Sequence, residues 1–140
     1  MHEEFTVPAK DFSVAGVASS KIKRLLKQLD IPPHKIKQII VATFEAEVNV
    51  IAHSYGGKLV CDIEEDSVLI QAIDIGPGIE NLELAMTDGW STATEEVREL
   101  GYGAGMGMSN IKKNCDKLDI YTKAGDHTRV SMYFKLEVQS

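Results

Sequence analysis

A carboxylate and a carboxamide lie four residues apart in the chain, at Glu45 and Asn49, within a stretch of helical periodicity. Side chains at this spacing emerge on the same face of a helix, one turn apart. An asparagine oxygen can ligate Mg²⁺, and a glutamate can accept a proton from an attacking hydroxyl or water. Alone, such a pair is most simply an exposed helix surface, so its chemistry depends on what lies elsewhere in the chain.

A second candidate group follows an apolar strand, in the segment Asp74-Ile75-Gly76-Pro77-Gly78-Ile79. Glycine allows close approach of the backbone to a ligand, and proline stiffens the turn. An aspartate at the end of a strand can accept a hydrogen bond from an exocyclic amine, such as that of adenine. The same residues would also form a sharp turn with a capping aspartate, and the segment alone does not distinguish the two.

Glycines alternate in the run Gly101-Tyr102-Gly103-Ala104-Gly105-Met106-Gly107, directly before a predicted helix. Amides exposed by such a loop and by the start of a helix form a cradle for phosphate. The dinucleotide pattern GxGxxG needs glycine at position 106 or 108, where methionine stands, and a Walker A loop needs glycine at 106 followed by lysine. Both familiar phosphate loops are therefore excluded, which leaves another kind of phosphate loop or a merely flexible segment.

In this order, the three segments resemble the boxes of the GHKL, or Bergerat-fold, ATPase superfamily. The N box is Glu45-Ala46-Glu47-Val48-Asn49, the DxGxGI turn is residues 74–79, and the glycine-rich box is residues 103–107. The chain is most similar to the small bacterial anti-sigma-factor serine/threonine kinases and related switch kinases. The similarity extends to Gly125-Asp126-His127-Thr128-Arg129-Val130, which resembles the closing G-x-T-x-V strand of that family with a small insertion.

The resemblance implies roles for these residues, with ATP and Mg²⁺ as cofactors. Glu45 is implied as the catalytic base, Asn49 as the magnesium ligand, and Asp74 as the adenine-binding residue with Thr128 in support. The remaining implied nucleotide-binding residues are Gly76, Gly78 and Ile79 near the adenine, and Gly103, Gly105, Met106 and Gly107 near the phosphates.

The implied activity is the phosphorylation of serine or threonine on a STAS-type anti-anti-sigma protein, with control of a sigma factor or stress-signalling partner. The alternative is a non-catalytic binding module that ATP gates. Two further hypotheses are phosphoryl transfer to a histidine of another protein and ATP hydrolysis coupled to motion of a dimer. The lid segment in residues 87–100 is longer and more acidic than in minimal kinases, and its lead-in is more similar to stress-signalling switch kinases. The resemblance also allows a homodimer.

The elements that must position these groups follow from periodicity and from turn signals. The predicted helices are residues 12–30, 33–55, 82–86 and 108–116, and the predicted strands are residues 4–8, 58–63, 67–73, 118–122 and 129–138. Helices cluster early and strands follow one another, unlike the regular alternation of a doubly wound fold. We predict an α+β fold, a two-layer sandwich of the Bergerat type with a mixed, mainly antiparallel sheet and helices on one face.

Basic residues are interleaved with the apolar positions of the first predicted helix, at Lys21, Lys23, Arg24 and Lys27. We interpret them as its solvated face, and a docking surface for an acidic partner is the alternative.

The composition indicates one domain over residues 1–140, with 44% hydrophobic and 26% charged residues. A formal charge of −6 argues against nucleic acid or an anionic membrane as the main partner. No apolar run approaches the roughly 20 residues needed to cross a bilayer. Cys61 and Cys115 lack metal-binding spacing and are interpreted as buried thiols of a reducing compartment. We therefore expect a cytoplasmic protein.

Overall fold

The computed structural model describes residues 1–76, 107–123 and 127–136. In chain order its elements are β1 (His2–Val7), α1 (Val17–Gln28), α2 (Pro33–His53), β2 (Gly57–Ile63), β3 (Ser67–Ile75), α3 (Gly107–Asn114), β4 (Lys117–Lys123) and β5 (His127–Lys135). The predicted helix at residues 82–86 and the lid at residues 87–100 lie outside the described residues. Within them, no helix is both long and apolar enough to span a membrane.

The start of α1 differs from the sequence prediction of one helix over residues 12–30. A short 3₁₀ turn occupies Phe12–Val14, and α1 begins only at Val17. Gly16, between them, has a φ of 91°, a left-handed conformation that a right-handed helix cannot include. The apolar spacing continues across this break, which is why periodicity alone does not reveal it.

Helix α2 is the long element that carries Glu45 and Asn49, and its start was predicted at Pro33. Proline is well tolerated there because the amide in a first helical turn has no intrahelical partner. The helix ends at His53, two residues before the predicted end, where the Ser54 hydroxyl and amide both donate to the carbonyl of Val50.

The five strands form a single sheet in the order β1-β2-β3-β5-β4. All four strand pairs that join them are antiparallel. The predicted sheet was mixed and mainly antiparallel; in the part of the chain described, the parallel component is not found. The β2–β3 and β4–β5 neighbours pair as expected, while the β1–β2 and β3–β5 pairings join strands distant in sequence.

One face of the sheet is apolar and packs against the helices. Alternate residues of β3 and β5 occupy it, each no more than 5% exposed: Val68, Ile70, Ala72, Val130, Met132 and Phe134. They form one cluster with helix residues that include Ile22, Leu26, Ile39 and Ile51. The predicted α+β fold, with helices on one face of the sheet, is therefore confirmed. Of the two cysteines, Cys61 is buried and Cys115 only partly so.

Candidate functional site

A row of residues crosses the sheet where its apolar face ends. Asp74 on β3 lies opposite Gly57 on β2 and opposite Thr128 on β5, and Thr128 lies opposite Thr122 on β4. Asp74 is on the helix-facing side, because it follows buried Ala72 by two residues in a strand. We call Gly57, Asp74, Thr128 and Thr122 the polar row, since the helix-facing side of the sheet changes there from apolar to polar.

The position of Asp74 within its strand corrects the sequence prediction, which ended the strand at residue 73 and opened a turn at Asp74. Strand β3 instead continues to Ile75. The amide of Ile75 donates to the carbonyl of Gly56 at 3.0 Å, and the amide of Tyr55 donates to the carbonyl of Ile75 at 2.8 Å. These bonds extend the ladder beyond the last apolar residue and hold Asp74 on a rigid element.

The Asp74 carboxyl has a perturbed proton affinity. Burial raises its pKa to about 6, because removing a carboxylate from water disfavours the charged form. A hydrogen bond from the backbone of Thr128 and the nearby His127 act in the opposite direction and limit the rise. A half-buried carboxylate of this kind gains from a hydrogen-bond donor such as an amine, which would replace the lost water.

The threonines of the polar row bond to each other. Thr128 is 4% exposed, and its hydroxyl oxygen lies 2.9 Å from that of Thr122, so that one hydroxyl donates to the other. The sequence singled out Thr128 but not Thr122, which joins the row only through the register of β4 against β5.

Two glycines allow the backbone to pack closely around Asp74. A Cβ at Gly57 would lie 2.2 Å from the Ile73 carbonyl oxygen and 2.8 Å from the Asp74 Cα. A Cβ at Gly76 would lie 3.1 Å from the Cα of Ser54, at the end of α2. Gly76 was predicted as a nucleotide-binding residue, and here it lets the strand end contact the helix. Gly57 was missed, and only its contact with β3 reveals the requirement.

Glu45 and Asn49 lie on α2 and are both partly buried. The side-chain amide of Asn110 donates to Glu45 Oε1 at 3.2 Å. Asn110 is in the first turn of α3, which begins at Gly107, the last glycine of the glycine-rich run. The helix that follows the phosphate-loop candidate is therefore linked directly to the candidate base. Sequence reasoning missed Asn110, for which a polar residue in the first turn after the run is the only local signal.

Glu47, also in the N box, faces elsewhere. It is 1% exposed, and its carboxylate accepts hydrogen bonds from the amides of Gly16 and Ser19 at 2.9 and 3.0 Å. The Ser19 hydroxyl also donates to it, at 2.5 Å. These groups form the start of α1, so Glu47 caps that helix from a distance. This role was not predicted.

The other predicted site residues lie largely outside the described residues: Gly78, Ile79, Gly103, Gly105 and Met106. The described ones form two groups, the polar row on the sheet and Glu45 with Asn49 on α2. Helix α2 connects the groups, because its end at Ser54 lies against Gly76.

The oxygen atoms of these side chains are of the chemical types that would bind ATP and Mg²⁺. The carboxamide oxygen of Asn49 and the carboxylate of Glu45 are hard oxygen atoms, the ligand type that Mg²⁺ prefers. The Asp74 carboxylate can accept from the amino group of adenine, and its partial burial favours such a donor.

Comparison with known proteins gives clear relatives in sequence. The chain is 30% identical over 146 aligned residues to the anti-sigma F factor of Clostridium beijerinckii, covering 100% of this chain and 96% of that protein. It is 32% identical over 120 residues to the anti-sigma F factor of Thermoanaerobacter sp. strain X514, covering 82% of this chain and 80% of that protein. No protein-family model matches the chain.

Solved structures share the fold at lower sequence identity. The RsbU and RsbW domains of Rv1364c from Mycobacterium tuberculosis align with a TM-score of 0.67 and 14% identity, over 100% of this chain and 34% of that one. The SiaB–SiaC complex from Pseudomonas aeruginosa aligns with a TM-score of 0.61 and 13% identity, over 94% of this chain and 88% of that one.

Proposed function

This chain belongs to the anti-sigma F factor family, and from that premise we propose that it is an ATP-dependent serine/threonine protein kinase that acts as a regulatory switch. Its proposed substrate is a hydroxyl of a STAS-type anti-anti-sigma protein, and the phosphorylation state of that protein decides whether the chain holds a sigma factor or another regulator. The names of the relatives support a sigma-factor partner, and the GHKL resemblance supports the substrate class and the nucleotide.

The observation that carries the kinase proposal is the placement of Glu45. Its carboxylate is partly buried on α2 and accepts a hydrogen bond from Asn110, the third residue after the glycine-rich run. A base for phosphoryl transfer must lie beside the phosphate-binding segment, since positioning supplies most of the catalysis. The hydrogen bond between Asn110 and Glu45 supports such a placement, because Asn110 lies in the same helical turn as Gly107, the last residue of the run.

In the proposed reaction, the substrate hydroxyl oxygen forms a bond to the γ-phosphorus of ATP as the bond from that phosphorus to ADP breaks. Glu45 accepts the proton that the hydroxyl loses. Asn49 would contribute its carboxamide oxygen to Mg²⁺, which would neutralise charge on the phosphates. Asp74 would hold the adenine amino group with Thr128 in support, and Gly76, Gly78 and Ile79 are assigned to the adenine pocket by the resemblance. Gly103, Gly105, Met106 and Gly107 are assigned to the phosphates.

The direct test is incubation of the protein with γ-labelled ATP, Mg²⁺ and a purified STAS-type protein. We expect acid-stable label on serine or threonine of the STAS protein, and loss of label with Glu45→Gln while ATP affinity is retained. Acid-labile label would indicate a histidine acceptor, and undiminished labelling by Glu45→Gln would remove Glu45 as the base.

A non-catalytic, ATP-gated binding module is the second candidate. The hydrogen bond between Glu45 and Asn110 favours it, because a link from the glycine-rich run to α2 could transmit nucleotide occupancy without any chemistry. Calorimetry of the partner protein with and without ATP separates the two. A partner affinity that follows ATP in the absence of any label supports gating alone, whereas an affinity that ignores ATP rules gating out.

A further inference from the structure

Positive charge is concentrated in α1 and the first part of α2. Residues 17–44 contain one acidic residue, Asp30, and six basic ones, a formal charge of +5 in a chain whose total is −6. The basic residues are Lys21, Lys23, Arg24, Lys27, Lys35 and Lys37. Such segregation gives this surface a potential opposite to that of the protein as a whole, which attracts partners of negative charge.

An apolar groove of about 750 Å³ lies in the same region. We call it the α1–α2 groove and define it by Lys23, Lys27, Ile36, Lys37, Ile40 and Val41, which line it. The apolar side chains of its floor differ in solvent exposure: Ile36 is 5% exposed, Ile40 is partly buried and Val41 is 37% exposed. Apolar side chains that remain accessible in a concave surface are typical of a binding site.

The lysines of the α1–α2 groove are exposed. Among the described residues, ion pairs form at Lys35 with Asp116 and at Lys58 with Glu4, but none forms at Lys23, Lys27 or Lys37. Lys35 and Lys37 are two residues apart on α2 and therefore face different directions, so that only Lys35 reaches Asp116. Asp30 also lines the groove, so three lysines against one aspartate leave a net positive charge there.

We propose that the α1–α2 groove binds an acidic amphipathic helix of a partner protein. Its apolar side chains would pack on Ile36, Ile40 and Val41, as an amphipathic helix packs into a hydrophobic groove through positions i, i+3, i+4 and i+7. Its carboxylates would pair with Lys23, Lys27 and Lys37 at the rim. Apolar contacts supply the affinity, and the three lysines select an acidic partner and speed its association. This surface is additional to the nucleotide site and does not depend on catalysis.

The test uses a fluorescein-labelled peptide of about four helical turns, with leucine on one face and glutamate on the others. Fluorescence anisotropy without nucleotide should show saturable 1:1 binding that weakens with added salt. The triple variant Lys23→Glu, Lys27→Glu and Lys37→Glu should bind about tenfold more weakly, since three exposed ion pairs become three repulsions. The same peptide with lysine in place of glutamate should prefer this variant to the native protein.

The matched control is Lys112→Glu, Lys113→Glu and Lys117→Glu, which changes net charge equally at exposed positions on α3 and β4. It should alter affinity much less. Val41→Asp places a charge on the floor at a partly exposed position, so it should weaken binding without unfolding the protein, as circular dichroism would verify.

The proposal is overturned if the peptide shows no saturable binding, if both triple variants weaken it equally, or if a scrambled peptide of identical composition binds as well. Self-association of the protein that Val41→Asp abolishes would also overturn it, since a second copy would then occupy the groove. Because nucleotide is absent throughout, failure of the kinase proposal would leave these results unchanged.

Discussion

Two carboxylates of α2, Glu45 and Glu47, lie two residues apart and have opposite surroundings. Glu47 is 1% exposed and accepts three hydrogen bonds from Gly16 and Ser19. Glu45 is partly buried and, within the described part of the chain, accepts one hydrogen bond, from Asn110. Two residues along a helix is more than half a turn, so the pair faces different neighbours. Among the described residues, the oxygen atoms of Glu47 are therefore committed to the fold, whereas Glu45 accepts a single hydrogen bond, which is compatible with the role that we propose for it.

The hydrogen bonds to Glu47 have a clear physical cause. The N-cap residue of α1 is Gly16, which has no side chain to accept a hydrogen bond from the first turn. A carboxylate at the start of a helix satisfies those amides and interacts favourably with the helix dipole. Glu47 supplies it from 31 residues away, and its oxygen atoms are then committed to structure.

The largest expected effect is on turnover in Glu45→Gln. Loss of the general base should lower the rate of phosphoryl transfer by about a hundredfold to ten-thousandfold. ATP affinity and melting temperature should change little, because the amide keeps the shape and can still pair with Asn110. Single-turnover kinetics and thermal melts measure both. A melting temperature that falls with the rate would show that Glu45, like Glu47, is structural, and would break the comparison.

The second-largest expected effect is a loss of folding stability in the variant Glu47→Gln. The amide group would direct a donor at amides that also donate, and the buried charge-assisted bonds would be lost, at about 2 to 4 kcal/mol. Urea unfolding measures this change, and Glu45→Gln is the matched control, with the same substitution two residues away. Ser19→Ala removes only the hydroxyl bond and should cost about 1 kcal/mol. Equal stabilities of the two glutamine variants would contradict the distinction.

The contrast between the two glutamates also marks the limit of prediction from sequence. Pro33, the apolar strands and the turns are local signals, and they predicted α2, the β2–β3 pair and the β4–β5 pair. The cap from Glu47 and the bond from Asn110 join residues far apart in the chain, and the tight contact of Gly57 with β3 depends on the exact register of the hairpin. Local patterns contain no information on such contacts. Asp74 was predicted as a site residue from its residue type, but its place inside β3 depends on the hydrogen bonds of the next residue, Ile75, with Tyr55 and Gly56.

Asp74 is a third carboxyl group to compare with Glu45 and Glu47, and it is half-buried on the sheet. Its pKa in the folded protein, about 6, exceeds the usual 3.8, so the folded state binds the proton more readily than the unfolded state. Its contribution to stability therefore falls as pH rises from about 4 to about 6 and stays low above that range. Asp74→Asn should stabilise the nucleotide-free protein by roughly 1 kcal/mol at neutral pH, a value reduced for partial exposure.

The same variant should lose nucleotide affinity if Asp74 accepts from adenine. Binding of ADP should also weaken as pH falls through about 6, because a protonated carboxyl is a weaker acceptor than a carboxylate, and Asp74→Asn should lack this part of the pH dependence. Calorimetry of both proteins over the same pH range cancels the titration of the ADP phosphates. Parallel pH profiles would separate Asp74 from the adenine site.

The smallest expected effect, and the finest test of the comparison, is Asn110→Ala. It removes the hydrogen bond to Glu45 without altering the carboxylate, so a positioning role predicts a loss of about threefold to tenfold in turnover, with little change in KM for ATP. Asn110→Asp replaces the donor with a second carboxylate beside Glu45 and should lower turnover more than Asn110→Ala does. A structural link would behave differently, since both variants would lower the melting temperature and leave turnover of the folded protein nearly unchanged. Turnover compared with melting temperature therefore decides whether Glu45 uses its bond to Asn110 for chemistry or, as Glu47 does, for holding two helices together.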